Sequence, residues 1–522
     1  MAVEGAAVRD GLSVVTRGTV LMLVGTIGFV VESFVSRVIL VRVLTTTQWS
    51  EFSLGLALAG LLSVFGSLGL PSAVARNLPF ASTDTERRDI VRTAFIVVLP
   101  AGLALSALMF LLGLPISSTF HAPLLGLTLE AFSIAVGLSI VAGLIASVFQ
   151  GYEDVLPNAL FVQVLNPLLF IAFLIVAAEK GPLSLSYSNA LLAYVAASVV
   201  TIVSLTLYTR SRLPRHLPSG PRSPGLSRKL LLFAAPLFAA GILGYLTGTG
   251  DTIVLGAWHL SEVGYYTAGL SLARLLQVGI GSLAYIFLPV TARFVRQGDR
   301  ASVRLTYTTA TKWVLLTSLP LFFVFFFLPT PSLNFVYGSG YATSTLALRV
   351  VVLGAFLSTL VGPVTAAQVS FGQTRLILYN AAVSATVDLG LSLALIPQYG
   401  MLGAAVAWGV SNALNPVLAM VELAVLEDVH PFRTHVLVPL AVTAIPVALV
   451  LPFLPLSHSL LVLPLLAVGL AVLFVLVVLL TGSVDDGDRL LLEAVENMLG
   501  RRVPMARRLY RWRSRWLASP PG

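Results

Sequence analysis

The chain has 522 residues but no cysteine, only six histidines and few charged side chains. Without cysteine it can form no disulfide, iron–sulfur cluster or thiolate zinc site. The histidines lie in or near predicted loops and lack the spacing of a metal site. No Gly-rich loop with Lys and Ser or Thr is present to cradle a phosphate, and no convergent catalytic set emerges. The sequence therefore predicts no metal centre, no cofactor and no enzymatic activity.

Charge is scarce because almost the whole chain is apolar. Charged residues make up 11% and hydrophobic residues 57% of the sequence, and the mean hydropathy is +0.93. In soluble domains about a quarter of the residues are charged. A membrane-spanning helix needs about 20 mostly apolar residues, and the chain divides into about 14 such runs. We therefore expect an all-α polytopic membrane protein with about 14 transmembrane helices. The run over 52–75 contains Pro71, where it could break.

The basic residues are distributed unevenly between the predicted loops. Of 32 basic residues, 26 lie in or beside loops on the side shared by both termini, whereas Lys180 lies on the opposite side. Because basic loops stay in the cytoplasm, both termini are predicted to be cytoplasmic, in a multi-pass protein of the cell (inner) membrane. The net charge of +9 is then mostly a topology signal, and we expect no nucleic-acid partner.

The second half of the chain repeats the first. Three matches carry the repeat: Gly25-Thr-Ile-Gly-Phe29 with Gly241-Ile-Leu-Gly-Tyr245, Gly55-Leu-Ala-Leu-Ala-Gly-Leu-Leu62 with Gly269-Leu-Ser-Leu-Ala-Arg-Leu-Leu276, and Asn158-Ala159 and Asn166 with Asn380-Ala381 and Asp388. The offsets of 216, 214 and 222 residues are nearly constant, which favours duplication over chance similarity between apolar helices. A duplicated helix bundle is typical of transporters, with two parallel-related lobes and a cavity between them.

The repeat divides the chain into five predicted parts. They are an N-terminal lobe of helices 1–6 over 1–209, a basic cytoplasmic linker over 210–229, a C-terminal lobe of helices 7–12 over 230–426, an appended hairpin of helices 13–14 over 427–482, and a basic amphipathic cytoplasmic tail over 483–522. Arginines alternate with Trp and Tyr in the tail, which suits a segment lying on anionic lipid headgroups. A solvated tail that only enforces the topology is the alternative.

Charged residues inside the predicted spans are the functional candidates, because each costs about 2.5–3.5 kcal/mol at a helix centre. They are Glu32, Arg37 and Arg42 in span 1, Asp251 in span 7, Arg274 in span 8, Arg349 in span 10 and Asp388 in span 11, with Arg76 at a span end. Arg37 and Arg42 are five residues apart, which separates them by about 140° around a helix. Arg37, the deeper of the two, is the preferred ligand.

Arg274 occupies the position where the first copy of the repeat has Gly60. A charge where the repeat allows a small residue favours a substrate site between two similar bundles; a structural ion pair with Asp251 or another buried carboxylate is the alternative. Asp251 itself follows Pro236 and Gly244, which weaken the helix and permit a kink. A carboxylate at such a hinge suits a Na⁺ or H⁺ coupling site, and the alternative is a structurally paired aspartate.

Several motifs in order carry a family resemblance over about residues 15–425. They are Arg42-Val-Leu44, Trp49-Ser-Glu-Phe52, Gly69-Leu-Pro-Ser-Ala-Val-Ala-Arg76, Gly250-Asp-Thr-Ile-Val-Leu-Gly256, Val263-Gly-Tyr-Tyr266, Leu288-Pro289, Tyr337-Gly338 with Tyr341, and Ile396-Pro-Gln-Tyr-Gly-Met-Leu-Gly-Ala-Ala405. The chain resembles the Wzx-type polysaccharide-biosynthesis flippases of the multidrug/oligosaccharidyl-lipid/polysaccharide exporter superfamily. It departs from the commonest form at Leu44-Thr-Thr-Thr47, where many relatives carry Leu-Gly and then a Tyr-Gly pair.

The resemblance implies a flippase for a polyprenyl-(pyro)phosphate-linked oligosaccharide, moved from the inner to the outer leaflet by alternating access for cell-surface polysaccharide or glycoprotein assembly. The substrate-binding candidates are then Arg37, Arg42, Arg76, Arg274 and Arg349, and the ion-coupling or cavity acids are Glu32, Asp251 and Asp388, with Na⁺ or H⁺ as a coupling cation. Membrane lipids and a glycan polymerase or glycosyltransferase are the further partners expected. A Na⁺- or H⁺-coupled multidrug exporter of the same superfamily and a non-transporting scaffold of a glycan assembly complex are the alternatives.

Overall fold

A computed structural model describes residue 25 and residues 28–178, 186–212, 226–453, 462–484 and 487–488. Within these ranges the chain forms helices joined by short loops and contains no strand. The first helix, α1, covers residues 28–43 of the described part.

The helices of the first half are α2 (Thr46–Ser67), α3 (Leu70–Asn77), α4 (Asp84–Thr119), α5 (Leu125–Gly151), α6 (Asn166–Val176, preceded by a π-helical Asn158–Leu165) and α7 (Tyr187–Arg212). Those of the second half are α8 (Leu226–Trp258), α9 (Leu260–Leu275), α10 (Val278–Arg296), α11 (Arg300–Phe327), α12 (Pro329–Tyr337), α13 (Thr345–Leu360), α14 (Val364–Ser370), α15 (Thr374–Tyr399), α16 (Met401–Glu427), α17 (Thr434–Val450) and α18 (Val462–Leu480).

Many of these helices can cross a membrane. In the described part, 11 helical segments are long and apolar enough to do so, and α9 with α10, bent by 43°, would form a twelfth. Helix α17 has 17 residues, and only part of the first predicted span is described. The predicted total of about 14 spans therefore stays a prediction.

The two ends of the bundle are named here by the predicted orientation. The outer end holds the start of α2 at Thr46 and the start of α9 at Leu260, and the inner end holds Gly151 and Leu226. At the outer end, Thr45 caps α2: its Oγ1 accepts from the Gln48 amide at 3.2 Å, and Gln48 Oε1 accepts from the Thr45 amide at 3.0 Å. This capping box occupies the Leu44-Thr-Thr-Thr47 segment that departs from the family pattern.

The run predicted to break at Pro71 does break there. Helix α2 ends at Ser67; Leu68 caps it with φ +50°, and Gly69 follows with φ +69°. Glycine reaches this left-handed region without steric cost, and Pro71 fits the first turn of α3 because its missing N–H has no helical partner there.

The predicted linker over 210–229 is described only at its ends. Residues 210–212 end α7 and residues 226–229 begin α8. Residues 213–225 and the tail from 489 onward lie outside the described residues. The predicted domain boundaries stay predictions.

The main buried apolar cluster runs through both halves of the chain. In the first half α5 packs on α2, α4 and α7, and in the second half α16 packs on α13 and α15. Helix α2 also packs on α8 and α9, and α8 packs on α15. Helices α17 and α18 pack on α11. The α2, α8 and α9 helices therefore form the junction between the halves.

Contacts across this junction follow the predicted repeat. The Gly264 amide donates to Ser50 Oγ at 2.9 Å, and Thr267 Oγ1 donates to Ser53 Oγ at 3.3 Å. Both pairs are separated by 214 residues, which is the offset between Gly55 and Gly269. In two units related by a two-fold axis, only positions at the axis touch their own counterparts. The contacts therefore indicate a pseudo-two-fold axis between α2 and α9.

A buried charge that the sequence analysis does not single out lies in α11. Lys312 is 2% exposed. Its ammonium donates to Asp488 Oδ2 and to the Ser483 carbonyl, both at 2.7 Å, while Trp313 Nε1 donates to Asp488 Oδ1 at 2.7 Å. A buried charge needs such a partner, and this pair fastens the segment after α18 to α11.

Candidate cationic cavity

A cavity of about 160 Å³ lies at the junction of the halves. Residues of α1, α2, α8 and α9 line it: Arg37, Trp49, Ser53, Leu56, Ala57, Tyr245, Thr249, Thr252, Thr267, Leu270 and Arg274. Among the residues that the structure describes, the lining contains two arginines and no carboxylate, so this part of the cavity is cationic.

The two arginines enter the cavity from opposite halves of the chain. Arg274 on α9 donates from Nη2 to the Gly248 carbonyl of α8 at 2.6 Å. Arg37 on α1 is close enough for its charge to interact with that of Arg274, and it forms no hydrogen bond or ion pair with any described residue. Two like charges facing one small space repel each other. An anion between them would remove that repulsion.

Neutral hydroxyl groups complete the lining. Ser53, Thr249, Thr252, Thr267 and Tyr245 offer both donors and acceptors. The Tyr245 hydroxyl donates to the Ala57 carbonyl at 2.8 Å, which joins α8 to α2. Sequence reasoning missed these residues, although Thr249 and Thr252 flank Asp251 and Tyr245 belongs to the first repeat match.

Gly60 has a packing reason for being small. A Cβ atom at this position would lie 2.8 Å from two ring carbons of Tyr245 and closer still to its hydroxyl. Glycine therefore lets Tyr245 lie against α2 at the edge of the cavity. The counterpart position in the second half carries Arg274, whose side chain reaches into the cavity. In the first copy of the repeat, the glycine at this position lets Tyr245 form part of the cavity wall. In the second copy, the same position places the charge of Arg274 in the cavity.

Asp251 is fully buried on α8 next to the cavity. Its Oδ2 accepts from the Tyr266 hydroxyl, and its Oδ1 accepts from the Thr252 amide at 2.6 Å and the Thr252 hydroxyl at 3.3 Å. The alternative of a direct ion pair between Arg274 and Asp251 is wrong, because Arg274 bonds the carbonyl of Gly248 instead. Their charges still interact through space.

Asp388 is the second of the predicted acids that is buried. It lies on α15, is 2% exposed, and accepts from the Ser411 hydroxyl of α16 at 2.6 Å. Its carboxyl group is close enough for its charge to interact with that of Asp251. One turn away on either side, the buried Ser384 and Ser392 hydroxyls have no hydrogen-bond partner among the described residues. Two carboxylates and several hydroxyls thus share one buried region.

The repeat places an amide where Asp388 stands. Asn166, the counterpart of Asp388, donates to the Thr201 hydroxyl of α7 at 3.1 Å. A side-chain hydrogen bond to a hydroxyl therefore joins α6 to α7 in the first half and α15 to α16 in the second half. The third predicted acid, Glu32 on α1, is half-buried and close to Ser36 one turn later. Glu32 does not line the cavity.

The structure places the other three predicted arginines away from the cavity lining. Arg42 donates from Nε to the Val336 carbonyl at 2.7 Å and from Nη2 to the Phe335 carbonyl, at the outer end. The Arg76 guanidinium lies over the Phe233 ring at 4.9 Å, at the inner end.

Arg349 donates from Nε to the Phe326 carbonyl at 3.1 Å. Its side chain is exposed on the outside of α13. Of the five arginines expected to bind substrate, the structure therefore brings only Arg37 and Arg274 together.

Apolar helices of spanning length around a buried polar cavity define a polytopic membrane protein with the architecture of a transporter. A family model described as "Polysaccharide biosynthesis protein" matches residues 15–295. The chain belongs to this family, and the resemblance drawn from its motifs is confirmed. No curated protein matches the chain in sequence.

Solved structures share the fold. One is "Lipid II flippase MurJ, inward closed conformation", with a TM-score of 0.69 and 14% identity over 87% of this chain and 98% of that one. Another is a "multidrug resistance MATE family transporter of the MOP superfamily", with a TM-score of 0.62 and 14% identity over 80% and 99%. A MOP superfamily transporter from Pyrococcus furiosus has a TM-score of 0.53 and 16% identity over 78% and 94%. The predicted all-α polytopic fold class is confirmed.

The role of Gly60 can be tested by adding a single methyl group. Gly60→Ala is expected to lower the stability of the protein by about 1–3 kcal/mol, because the new Cβ overlaps Tyr245. Thermal unfolding of the purified protein in detergent measures the change. Gly244→Ala is the matched control on α8, since a Cβ there meets no atom within 4 Å. Equal stability of the two variants would contradict the packing argument.

Proposed function

We propose that the chain is a flippase that moves a polyprenyl-(pyro)phosphate-linked oligosaccharide from the inner to the outer leaflet, for assembly of cell-surface polysaccharide or glycoprotein. The observation that carries the proposal is the pair Arg37 and Arg274 in a hydroxyl-lined cavity between the halves. Membership in the polysaccharide biosynthesis family supports a sugar cargo. The shared fold with a lipid II flippase supports a lipid-linked one.

The chemistry of the cavity suits such a headgroup. Guanidinium groups meet phosphate oxygens with paired donors and keep their charge in an apolar surrounding. Hydroxyls such as Thr249 and Thr267 can exchange hydrogen bonds with a sugar as donors or acceptors. The polyprenyl tail needs no cavity, because it remains in the lipid.

A cavity of about 160 Å³ is too small for an oligosaccharide, since even drug-sized ligands occupy pockets of about 300–1,000 Å³. The halves must therefore separate to admit cargo. At the outer end, Ser50 with Gly264 and Arg42 with the α12 carbonyls join the halves. At the inner end, Arg76 lies over Phe233, and Phe65 meets Phe238 edge to face at 5.6 Å. Opening one set while the other stays closed gives alternating access.

Two forces can drive the outward step. A negatively charged headgroup leaving a cell that is negative inside gains about 2.3 kcal/mol per charge per 100 mV. We further propose that Asp251 and Asp388 bind Na⁺ or H⁺. Two carboxylates buried in one region repel each other unless a cation or a proton is shared between them. The unpartnered Ser384 hydroxyl beside Asp388 would offer a further oxygen ligand.

The multidrug exporter remains the rival function on this fold. An organic cation would favour carboxylates in the lining, whereas the lining charges here are both arginines. A non-transporting scaffold would have no use for an arginine pair inside the bundle. The polarity of the cavity thus favours an anionic cargo over both rivals.

Substitution of the two lining arginines tests the proposal. Arg37→Ala and Arg274→Ala are each expected to slow flipping of a fluorescent polyprenyl-pyrophosphate oligosaccharide in proteoliposomes by about tenfold or more, because a hydrogen bond to a charged group contributes about 1.5–3 kcal/mol. Arg→Lys at either position should restore part of the rate, since the charge returns without the paired donors.

Arg349→Ala is the control, because this arginine is outside the cavity. Wild-type flipping rates in both alanine variants would show that the two arginines do not bind the cargo. Export of an organic cation by wild type, with no flipping of lipid-linked glycans, would establish the rival.

The outer contact of Arg42 gives a prediction about access. Arg42→Ala is expected to populate the outward-open state, because the two carbonyl bonds to α12 are lost. The native chain lacks cysteine, so Thr249→Cys introduces one thiol into the cavity lining. A membrane-impermeant maleimide applied from outside should label this thiol several-fold faster when Arg42 is replaced. Arg76→Ala is the control at the inner end, and equal acceleration by both would contradict the assignment.

Cation coupling can be tested at Asp388. Asp388→Asn keeps the shape and the Ser411 contact but removes the charge, so flipping should stop responding to an imposed Na⁺ or pH gradient. The response to membrane potential should persist. Glu422→Gln serves as the control, since this acid bonds Gln368 and Asn380 elsewhere in the second half. An unchanged gradient response in Asp388→Asn would exclude Asp388 as the coupling site.

A further inference from the structure

One lining residue has a polar group that nothing in the described structure uses. Trp49, near the start of α2, is 1% exposed, and its Nε1 has no hydrogen-bond partner among the described residues. Buried Trp N–H groups usually find a partner. Leaving a buried donor unpaired costs free energy, because the donor has lost its hydrogen bonds to water. Such a group calls for a function.

The Trp49 ring is held firmly where the halves meet. It stacks on Phe52 with ring centroids 6.0 Å apart and an interplanar angle of 21°. On the other side lies α9, so close that a Cβ at Gly264 would stand 3.0 Å from Trp49 Cδ1. The next residue, Ser50, accepts from the Gly264 amide at 2.9 Å. The indole is therefore packed between Phe52 of its own helix and the α9 backbone at Gly264.

The same ring borders the cavity that contains Arg37 and Arg274. On the basis of the proposed function, we infer that the Trp49 indole N–H donates a hydrogen bond to an oxygen of the cargo headgroup. The acceptor is a pyrophosphate oxygen or a hydroxyl of the first sugar. A fixed ring donor loses little conformational entropy on binding, unlike a flexible side chain.

This donor contributes to selectivity as well as to affinity. A site with a buried N–H disfavours a ligand that has no acceptor to offer, because the donor then stays unpaired. Every phosphate and sugar carries several acceptor oxygens, whereas an organic cation without an acceptor would leave the N–H unpaired. The two arginines favour a ligand with a negative charge, and Trp49 in addition favours a ligand with a hydrogen-bond acceptor.

The inference is tested by Trp49→Phe, which keeps an aromatic ring against Phe52 and removes the N–H. Binding is measured in nanodiscs with two probes, a polyprenyl pyrophosphate and the same lipid carrying an oligosaccharide. About tenfold weaker binding is expected for at least one probe. Weakening with both probes places the N–H on the pyrophosphate, and weakening with the glycosylated lipid alone places it on the sugar.

Trp408→Phe is the matched control, because Trp408 is 3% exposed on α16 and does not line the cavity. Its affinities should stay within about twofold of wild type. Wild-type affinities for both probes in folded Trp49→Phe would overturn the inference and leave the proposed function standing. Failure of the wild-type protein to bind either probe would instead overturn the proposed function, and the inference with it.

A second measurement does not depend on the variant folding. In native protein with ¹⁵N-labelled indoles, addition of the glycosylated lipid should shift one buried indole proton downfield, as expected for a new hydrogen bond. The resonances of Trp258, Trp313 and Trp408 should stay in place, because none of these residues lines the cavity. The absence of any such shift at saturating lipid would overturn the inference.

Discussion

Within a bilayer, every backbone polar group must find its partner inside the protein, and most side-chain hydroxyls at the junction of α2, α8 and α9 meet the same requirement. Small residues bring the helices together there: Gly264 admits Ser50, and Gly60 admits Tyr245. Hydroxyls then satisfy one another or a backbone carbonyl, as Tyr245 does with Ala57. A hydroxyl pair is neutral, so it can be broken and reformed without exposing a charge to lipid. Contacts of this kind allow the two halves to pack against each other and also to move apart.

The two halves share a backbone plan but differ in where they carry charge. Arg274 stands opposite Gly60 in the repeat, and Asp388 stands opposite Asn166. In the first half the amide of Asn166 bonds a threonine hydroxyl, and in the second half the carboxylate of Asp388 bonds a serine hydroxyl. Both halves therefore have a side-chain hydrogen bond at this place, but only the second half has a charged group in it. The second half thus supplies Arg274, Asp251 and Asp388, and the first half supplies Arg37 and part of the cavity lining.

The sequence predicts most of the fold, because long apolar runs can form little besides spanning helices. It also indicates Arg37 and Arg274, since a charge deep in an apolar run needs a reason. It does not distinguish them from Arg42 and Arg349, because the direction of a side chain around its helix depends on which neighbours pack there. Trp49 and the lining hydroxyls carry no charge, so nothing in composition marks them. Lys312 escaped notice although it is charged, and its partner Asp488 lies 176 residues away.

The contact of Arg42 with α12 is made to main-chain oxygens rather than to a carboxylate. Carbonyl groups are present whatever the side chains are, so the amino acids at positions 335 and 336 can change during evolution without loss of this contact. Nor does a carbonyl titrate, so acidification leaves both acceptors intact. This contact between the two halves is in this respect robust to mutation and to the acidity of the surroundings.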